Sequence, residues 1–158
     1  MLDIKQTRTI HAPIEEVWRV VVDGFTDSHE WAFGTTMCRP GTDAEGVDRV
    51  CDTESGRLMD TITTVDPEAR LLEFEVEGLP FFVRSVVSTW TMVDLGDDRT
   101  DLTIGPRIET LPVIGRLFEI PMRRALTALY PELLDDLAVY IETGAPSDRK
   151  RAELAASR

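Results

Sequence analysis

Residues 116–143 read RLFEIPMRRALTALYPELLDDLAVYIET, a sequence typical of one long amphipathic helix. Its leucines and isoleucines recur at helical spacing and predict an apolar stripe that comprises Leu117, Ile120, Leu126, Leu129, Leu133, Leu137 and Ile141. Gly144 follows as a terminating residue. Because Pro131 has no amide hydrogen and crowds the preceding turn, we predict a kink or break between Leu129 and Pro131.

The segments before this helix predict one strand and two short helices. Residues 3–11 alternate, so that Ile4, Gln6, Arg8 and Ile10 share one face. Pro13 opens a helix that Gly24 ends, and residues 26–32 predict a second short helix.

The middle of the chain has a period of two and predicts six further strands, at 34–39, 47–53, 58–65, 70–77, 82–94 and 99–109. Turn residues such as Pro40-Gly41 and Asp66-Pro67 separate them, so neighbouring strands should be antiparallel. In residues 72–77, apolar side chains alternate with glutamates, which predicts that one face of the sheet is buried.

Length and charge limit the classes of function. The chain has 158 residues, and we predict one domain over 1–145 with a polar, disordered tail over 146–158. A net charge of -12 argues against nucleic acid as a partner and against docking on anionic lipid. Neither a membrane-spanning run nor a signal peptide is recognised, so we expect no membrane insertion and a cytoplasmic location.

The usual sequence signatures of metal and cofactor chemistry are absent. There are two histidines, His11 and His29, without metal-ligand spacing, and no phosphate-binding glycine loop, so we expect no metal and no cofactor. His29 is either an acid–base residue at a pocket mouth or a surface residue. Cys38 and Cys51 could meet across a hairpin, but we expect two reduced thiols.

Several short motifs resemble one superfamily. Ile10-His11-Ala12-Pro13 with Val17-Trp18 resembles the opening of the SRPBCC (START/birch-allergen-like) superfamily, and Gly46 to Val50, Val65 to Pro67 and Glu77 to Pro80 resemble its polyketide cyclase/dehydrase branch. The resemblance implies an α+β helix-grip fold, with a curved antiparallel sheet of about seven strands around a long C-terminal helix. It also implies a pocket between sheet and helix for lipids, polyketides or other apolar molecules.

Two arginines are candidates for polar anchors in such a pocket. If Trp90 and Met92 face inward, Ser88 and Arg84 share their face, and Arg8 shares the face of Ile10. A buried arginine needs a carboxylate, which a ligand could supply, or Asp60, which shares the inward face of Ile62. The alternative places both arginines at the rim, in contact with water.

Apolar side chains are the other candidates, and they could either line a pocket or simply fill the core. They are Trp31, Phe33, Phe74, Phe82, Trp90, Met92, Phe118, Met122, Leu126 and Leu129. Residues 111–115 form an unusually apolar connection, either a pocket flap or a dimer contact, so a monomer and a homodimer both stay open.

Three hypotheses for function follow. The first is a binding module for a hydrophobic or amphipathic small molecule, lipid- or polyketide-like, held between sheet and helix. The second is a cyclase, aromatase or dehydratase that acts on such a ligand in the same pocket, largely by orientation. The third is a partner-binding role, for example that of a carrier or regulator whose mouth loops change on ligand binding.

Overall fold

A curved, antiparallel sheet of eight strands packs against one long helix in a computed structural model that describes residues 1–157. The strands are β1 (Leu2–Asp3), β2 (Gln6–Ile10), β3 (Thr35–Pro40), β4 (Arg49–Thr53), β5 (Gly56–Asp66), β6 (Leu71–Glu77), β7 (Val83–Gly96) and β8 (Arg99–Thr110). The helices are α1 (Ile14–Trp18), a π-helical turn (Arg19–Asp23), a 3-10 helix (Phe25–Glu30), α2 (Ile114–Thr143) and α3 (Asp148–Ala156). This architecture confirms the predicted helix-grip fold.

The strand order is β1-β8-β7-β6-β5-β4-β3, and β2 also pairs with β8. One strand more than expected is present, because the predicted strand over 3–11 is divided into β1 and β2. The division lies opposite Pro106, which has no amide hydrogen to donate to the ladder. The carbonyl of Pro106 still accepts a hydrogen bond of 3.3 Å from the amide of Ile4.

The core lies between the concave face of the sheet and the C-terminal half of α2. Alternation places one side of β6, β7 and β8 inward, and helix α1 closes one end. The fully or nearly fully buried apolar residues include Val17, Trp18, Leu72, Phe74, Trp90, Met92, Leu102, Ile104, Leu134, Leu137 and Ala138. The predicted alternation of buried apolar and exposed acidic residues in β6 is therefore present, since Glu75 and Glu77 are exposed.

Helix α2 differs from its prediction in two ways. It is continuous through Pro121 and Pro131, so the predicted break is wrong. Leu117, Ile120 and Leu129 are exposed rather than part of the buried stripe. The reason is geometric: Leu117 and Leu126 are nine residues apart, about two and a half helical turns, so they lie on opposite sides of the helix.

The tail is also ordered, against expectation, because residues 148–156 form α3. The Ser147 side chain caps this helix by accepting a hydrogen bond from the amide of Lys150. Lys150 is fully buried, and its Nζ donates to the carbonyl of Thr35 at 2.8 Å. The expectation of disorder considered only polarity and missed this cap and the buried cation. Residue 158, the last of that tail, lies outside the described residues.

The expectation of two reduced thiols is also wrong, because Cys38 and Cys51 form a disulfide. They are direct partners in the β3–β4 ladder, with a Cα–Cα distance of 4.2 Å, and both are buried. The hairpin register thus brings the two sulfur atoms together.

Among residues 1–157, no helix is long and apolar enough to cross a membrane.

Candidate functional site

The candidate site is the region between the concave face of the sheet and the N-terminal half of α2, where apolar side chains are only partly covered. Along the side of α2 that faces the sheet, Leu134 and Leu137 are buried, whereas Met122, Leu126 and Tyr130 keep part of their surface exposed. These residues follow each other at helical spacing, so they belong to one side of the helix. The helix is therefore packed on the sheet by its C-terminal half and less covered at its N-terminal half. We call this opening the grip groove.

The floor of the grip groove is formed by inward-facing side chains of β5, β6 and β7. The register places Ile62 beside Phe74, Phe74 beside Ser88, and Asp60 beside Val76. Ile62, Val76 and Val86 are half-buried, which matches the incomplete cover by α2. The wall is therefore mostly apolar, as is usual for a small-molecule site.

Two phenylalanines join the sheet to the helix at the mouth of the groove. The ring of Phe82 stacks on that of Phe118 with centroids 4.3 Å apart, and Phe81 meets Phe82 edge to face at 5.7 Å. Beside this contact lies a cavity of about 210 Å³, lined by Val76, Glu77, Gly78, Leu79, Val83, Arg84 and Ser85. In this conformation it could hold only part of a lipid-sized ligand, because drug-sized ligands occupy pockets of roughly 300–1,000 Å³.

A buried ion pair joins β4 to β5, next to the floor of the grip groove. Asp60 accepts hydrogen bonds from Arg49 at 2.6 Å and 2.7 Å, and Arg49 also donates to the carbonyl of Phe25 and the hydroxyl of Ser28. The guanidinium lies over the Phe25 ring, 3.8 Å from its centroid. Burial raises the pKa of Asp60 and lowers the pKa of Arg49, while the opposite charge of each partner counters both shifts. The pair is thus a rigid, internally satisfied unit.

Asp60 is therefore inward, as expected, but its partner is Arg49 rather than Arg8 or Arg84. Arg8 is exposed and bonds to Asp135 of α2 at 2.7 Å. Arg84 is also exposed and forms no ion pair with any residue from 1 to 157. The rim alternative describes both arginines, and only Arg84 lies beside the cavity at the mouth.

The structure separates the apolar candidates into three groups. Phe82, Phe118, Met122 and Leu126 lie at the grip groove or its mouth. Trp31, Phe74, Trp90 and Met92 are buried in the core, together with Ser88, whose hydroxyl accepts a hydrogen bond of 3.0 Å from the Trp90 indole. Phe33 and Leu129 are exposed; Phe33 lies under the guanidinium of Arg149, 4.9 Å away, close to α3.

Tyr130 was missed by the sequence reasoning. Its side chain packs against the edge of the core on the groove side of α2, and burial raises the pKa of its hydroxyl to about 12. No hydrogen bond to this hydroxyl is found within residues 1–157. The spacing could have revealed it, since Tyr130 lies four residues after Leu126 and four before Leu134. At neutral pH it is an uncharged hydrogen-bond donor in an apolar setting.

No acid–base or metal constellation accompanies these residues in the described part of the chain. His29 Nδ1 is buried without a hydrogen-bond partner there. No group of three histidine, cysteine, aspartate or glutamate side chains in that part could hold a metal ion. The chemistry that the groove offers is thus apolar contact, one phenolic hydroxyl and one arginine at the mouth.

Solved structures share this architecture at low sequence identity. An uncharacterised protein from Bacillus thuringiensis superposes with a TM-score of 0.73 at 15% identity, over 89% of this chain and 98% of that one. The Zhui aromatase/cyclase from a Streptomyces species gives 0.69 at 15% identity, over 92% and 99%. A norcoclaurine synthase point mutant from Thalictrum, solved with a transition-state analogue, gives 0.66 at 16% identity, over 87% and 94%. At such identities these likenesses show the fold alone.

Comparison with sequences gives a more specific result. No curated protein matches this chain. A family profile matches residues 1–142, which include every strand and almost all of α2. The chain therefore belongs to the family described as polyketide cyclase/dehydrase and lipid transport.

Proposed function

We propose that this protein binds a hydrophobic or amphipathic small molecule, lipid- or polyketide-like, in the grip groove. The observation that carries the proposal is the change in burial along one side of α2, from buried Leu134 and Leu137 to partly exposed Leu126 and Met122. When an apolar ligand covers such a surface, the free energy of the system falls, because apolar area on both partners is removed from water. The family supports a small-molecule role of this kind.

The polar groups of the groove define the kind of ligand. Tyr130 keeps its proton at neutral pH, since the ordinary tyrosine pKa of 10.0 already lies well above 7 and burial raises it to about 12, so it would donate a hydrogen bond to a carbonyl or hydroxyl oxygen. Arg84 at the mouth would contact a polar or anionic end. The ligand would thus have an apolar body with one inner oxygen and a polar terminus.

The test compares two tryptophan variants of α2. Native mass spectrometry and organic extraction of the purified protein would first identify any bound molecule, and titration with a fluorescent fatty acid would then give an affinity. Leu126→Trp should abolish binding by filling the groove, whereas Ala128→Trp, at an exposed position on the opposite side of the same helix, should not. Equal binding by both variants and the parent protein would refute the groove as the site.

A second candidate function is a cyclase, aromatase or dehydratase reaction in the same groove. Tyr130 favours it, because a neutral hydroxyl in an apolar setting can donate a hydrogen bond to a reacting carbonyl oxygen and stabilise the negative charge that develops there. Tyr130→Phe should then preserve binding of a polyketide-like thioester and abolish its conversion, measured by mass spectrometry of the products. Unchanged conversion in Tyr130→Phe would remove the hydroxyl from the reaction, and no conversion by the parent protein would leave the binding function alone.

A further inference from the structure

Exposed apolar side chains form a patch outside the grip groove, at its mouth. Phe81 is 75% exposed on the β6–β7 loop, and Val113, Leu117 and Ile120 are 77%, 75% and 69% exposed at the start of α2. The two segments touch, because Phe81 packs on Phe82 and Phe82 stacks on Phe118. We call these four exposed residues the mouth patch. Large apolar side chains grouped in this way mark an interaction surface.

The net charge of -12 argues against docking on anionic lipid when it is taken for the whole chain, but the charge near the mouth patch has the opposite sign. Residues 77–87 and 111–131 contain four arginines and two glutamates, so they carry +2, whereas the rest of the chain carries -14. Of the two glutamates, Glu119 lies 3.6 Å from the amino terminus, and Glu77 lines the cavity beside Arg84. The four arginines, Arg84, Arg116, Arg123 and Arg124, form no ion pair with any residue from 1 to 157. Their charge is available to a partner.

Helical spacing places three of these arginines around one apolar side chain. Arg116 is four residues before Ile120, and Arg123 and Arg124 are three and four residues after it, so all three are its surface neighbours. A helix that presents apolar side chains among arginines is typical of segments that lie in a membrane interface, where the long cationic stems reach the headgroups.

We propose that the mouth patch docks on an anionic lipid surface. Its apolar side chains would enter the boundary of the acyl chains, and the four arginines would contact the headgroups, while the strongly acidic remainder is repelled and faces away. This orientation places the open end of the groove against the membrane. A second copy of the chain fits the patch less well, because pairing two such patches brings two sets of arginines together. The proposal is independent of what the groove binds.

Vesicle flotation with the full-length protein tests this surface. Vesicles of phosphatidylcholine alone are compared with vesicles of equal amounts of phosphatidylcholine and phosphatidylglycerol. We expect binding to the anionic vesicles only, and a loss on the order of tenfold or more in Arg124→Glu, since each basic residue near such a surface contributes roughly a factor of five to ten. Arg99→Glu is the matched control, an exposed arginine at the opposite, β7–β8 end.

The apolar contribution is tested in the same assay. Leu117→Ser with Ile120→Ser should weaken vesicle binding at least as much, whereas Val93→Ser, another exposed apolar site, should not. Circular dichroism establishes that each variant is folded. No binding to anionic vesicles, or equal losses in Arg99→Glu and Arg124→Glu, would overturn the proposal. A stable dimer in solution that dissociates in the double serine variant would also overturn it. Binding of the mouth patch to an acidic protein, without binding to anionic vesicles, would do the same.

Discussion

Two aspartate–arginine pairs join β4 to β5, one buried and one exposed. Arg49 faces Asp60 and Asp52 faces Arg57 in the same ladder, with shortest distances of 2.6 Å and 2.8 Å. The side chains of the first pair are 12% and 3% exposed, whereas those of the second are 44% for Asp52 and 59% for Arg57. The chain thus contains its own control for the effect of burial on an ion pair.

The perturbation is Asp60→Asn, compared with Asp52→Asn. Removal of one partner from a buried pair costs about 3–5 kcal/mol, because the remaining charge stays buried and uncompensated. In a chain of this length that loss lowers the melting temperature by on the order of 10 °C. Asp52→Asn should leave the melting temperature almost unchanged, since water screens the exposed pair. Thermal and urea unfolding, followed by circular dichroism, measure both variants.

A double variant makes the reasoning refutable. Arg49→Met with Asp60→Leu should recover most of the lost stability, because a buried pair replaced by apolar residues is nearly neutral. Equal melting temperatures for the two single variants would refute the assignment of the cost to burial.

Three further predictions concern the rest of the fold. Reduction of the Cys38–Cys51 disulfide should lower the free energy of unfolding by about 2–3 kcal/mol in urea titrations, because the loop it closes is short; an unchanged midpoint would contradict its presence in the protein. Asp136→Ala should cost about 3 kcal/mol, because it leaves Arg149 and Ser147 without their buried acceptor, whereas Asp135→Ala, at the exposed neighbour, should cost far less; similar losses would contradict the docking of α3. Tyr130 should ionise only near pH 12, so Tyr130→Phe should remove a loss of stability that begins above the ordinary tyrosine pKa of 10.0; ultraviolet difference spectra at high pH measure its titration, and a Tyr130 that titrates near 10 would contradict its burial.

The sequence was sufficient for the sheet because its period is unambiguous. Each predicted strand is found within a few residues of its place, and turn residues such as Pro67 lie between them. The helix-grip architecture follows from this order together with the long C-terminal helix. Alternation also identified which face of β6 is buried, so Phe74 was placed on the correct side, and the condition set for β7, that Trp90 and Met92 face inward, is met.

The site was less predictable because it depends on pairing and on helix rotation. Asp60 was assigned inward correctly, but its partner is supplied by the cross-strand register, which a list of strands does not contain. The disulfide and the buried Lys150 depend in the same way on contacts between distant segments. Polarity alone suggested a disordered tail, and only the docked position of α3 shows why a buried lysine is tolerated there.

The two apolar sides of α2 explain both the error in the stripe and the design of the mouth. Its C-terminal half is held on the fold by the ion pair of Asp135 with Arg8 and by that of Asp136 with Arg149, and its inner side is fully covered. Its N-terminal half has Met122 and Leu126 toward the groove and Leu117 on the opposite side, toward solvent. A helix needed only for packing gains nothing from a second apolar side. An inner side that contacts a ligand and an outer side that contacts a lipid surface would account for the two apolar sides. The variants separate these roles: Leu126→Trp should impair ligand binding and spare vesicle binding, and Leu117→Ser/Ile120→Ser should do the reverse.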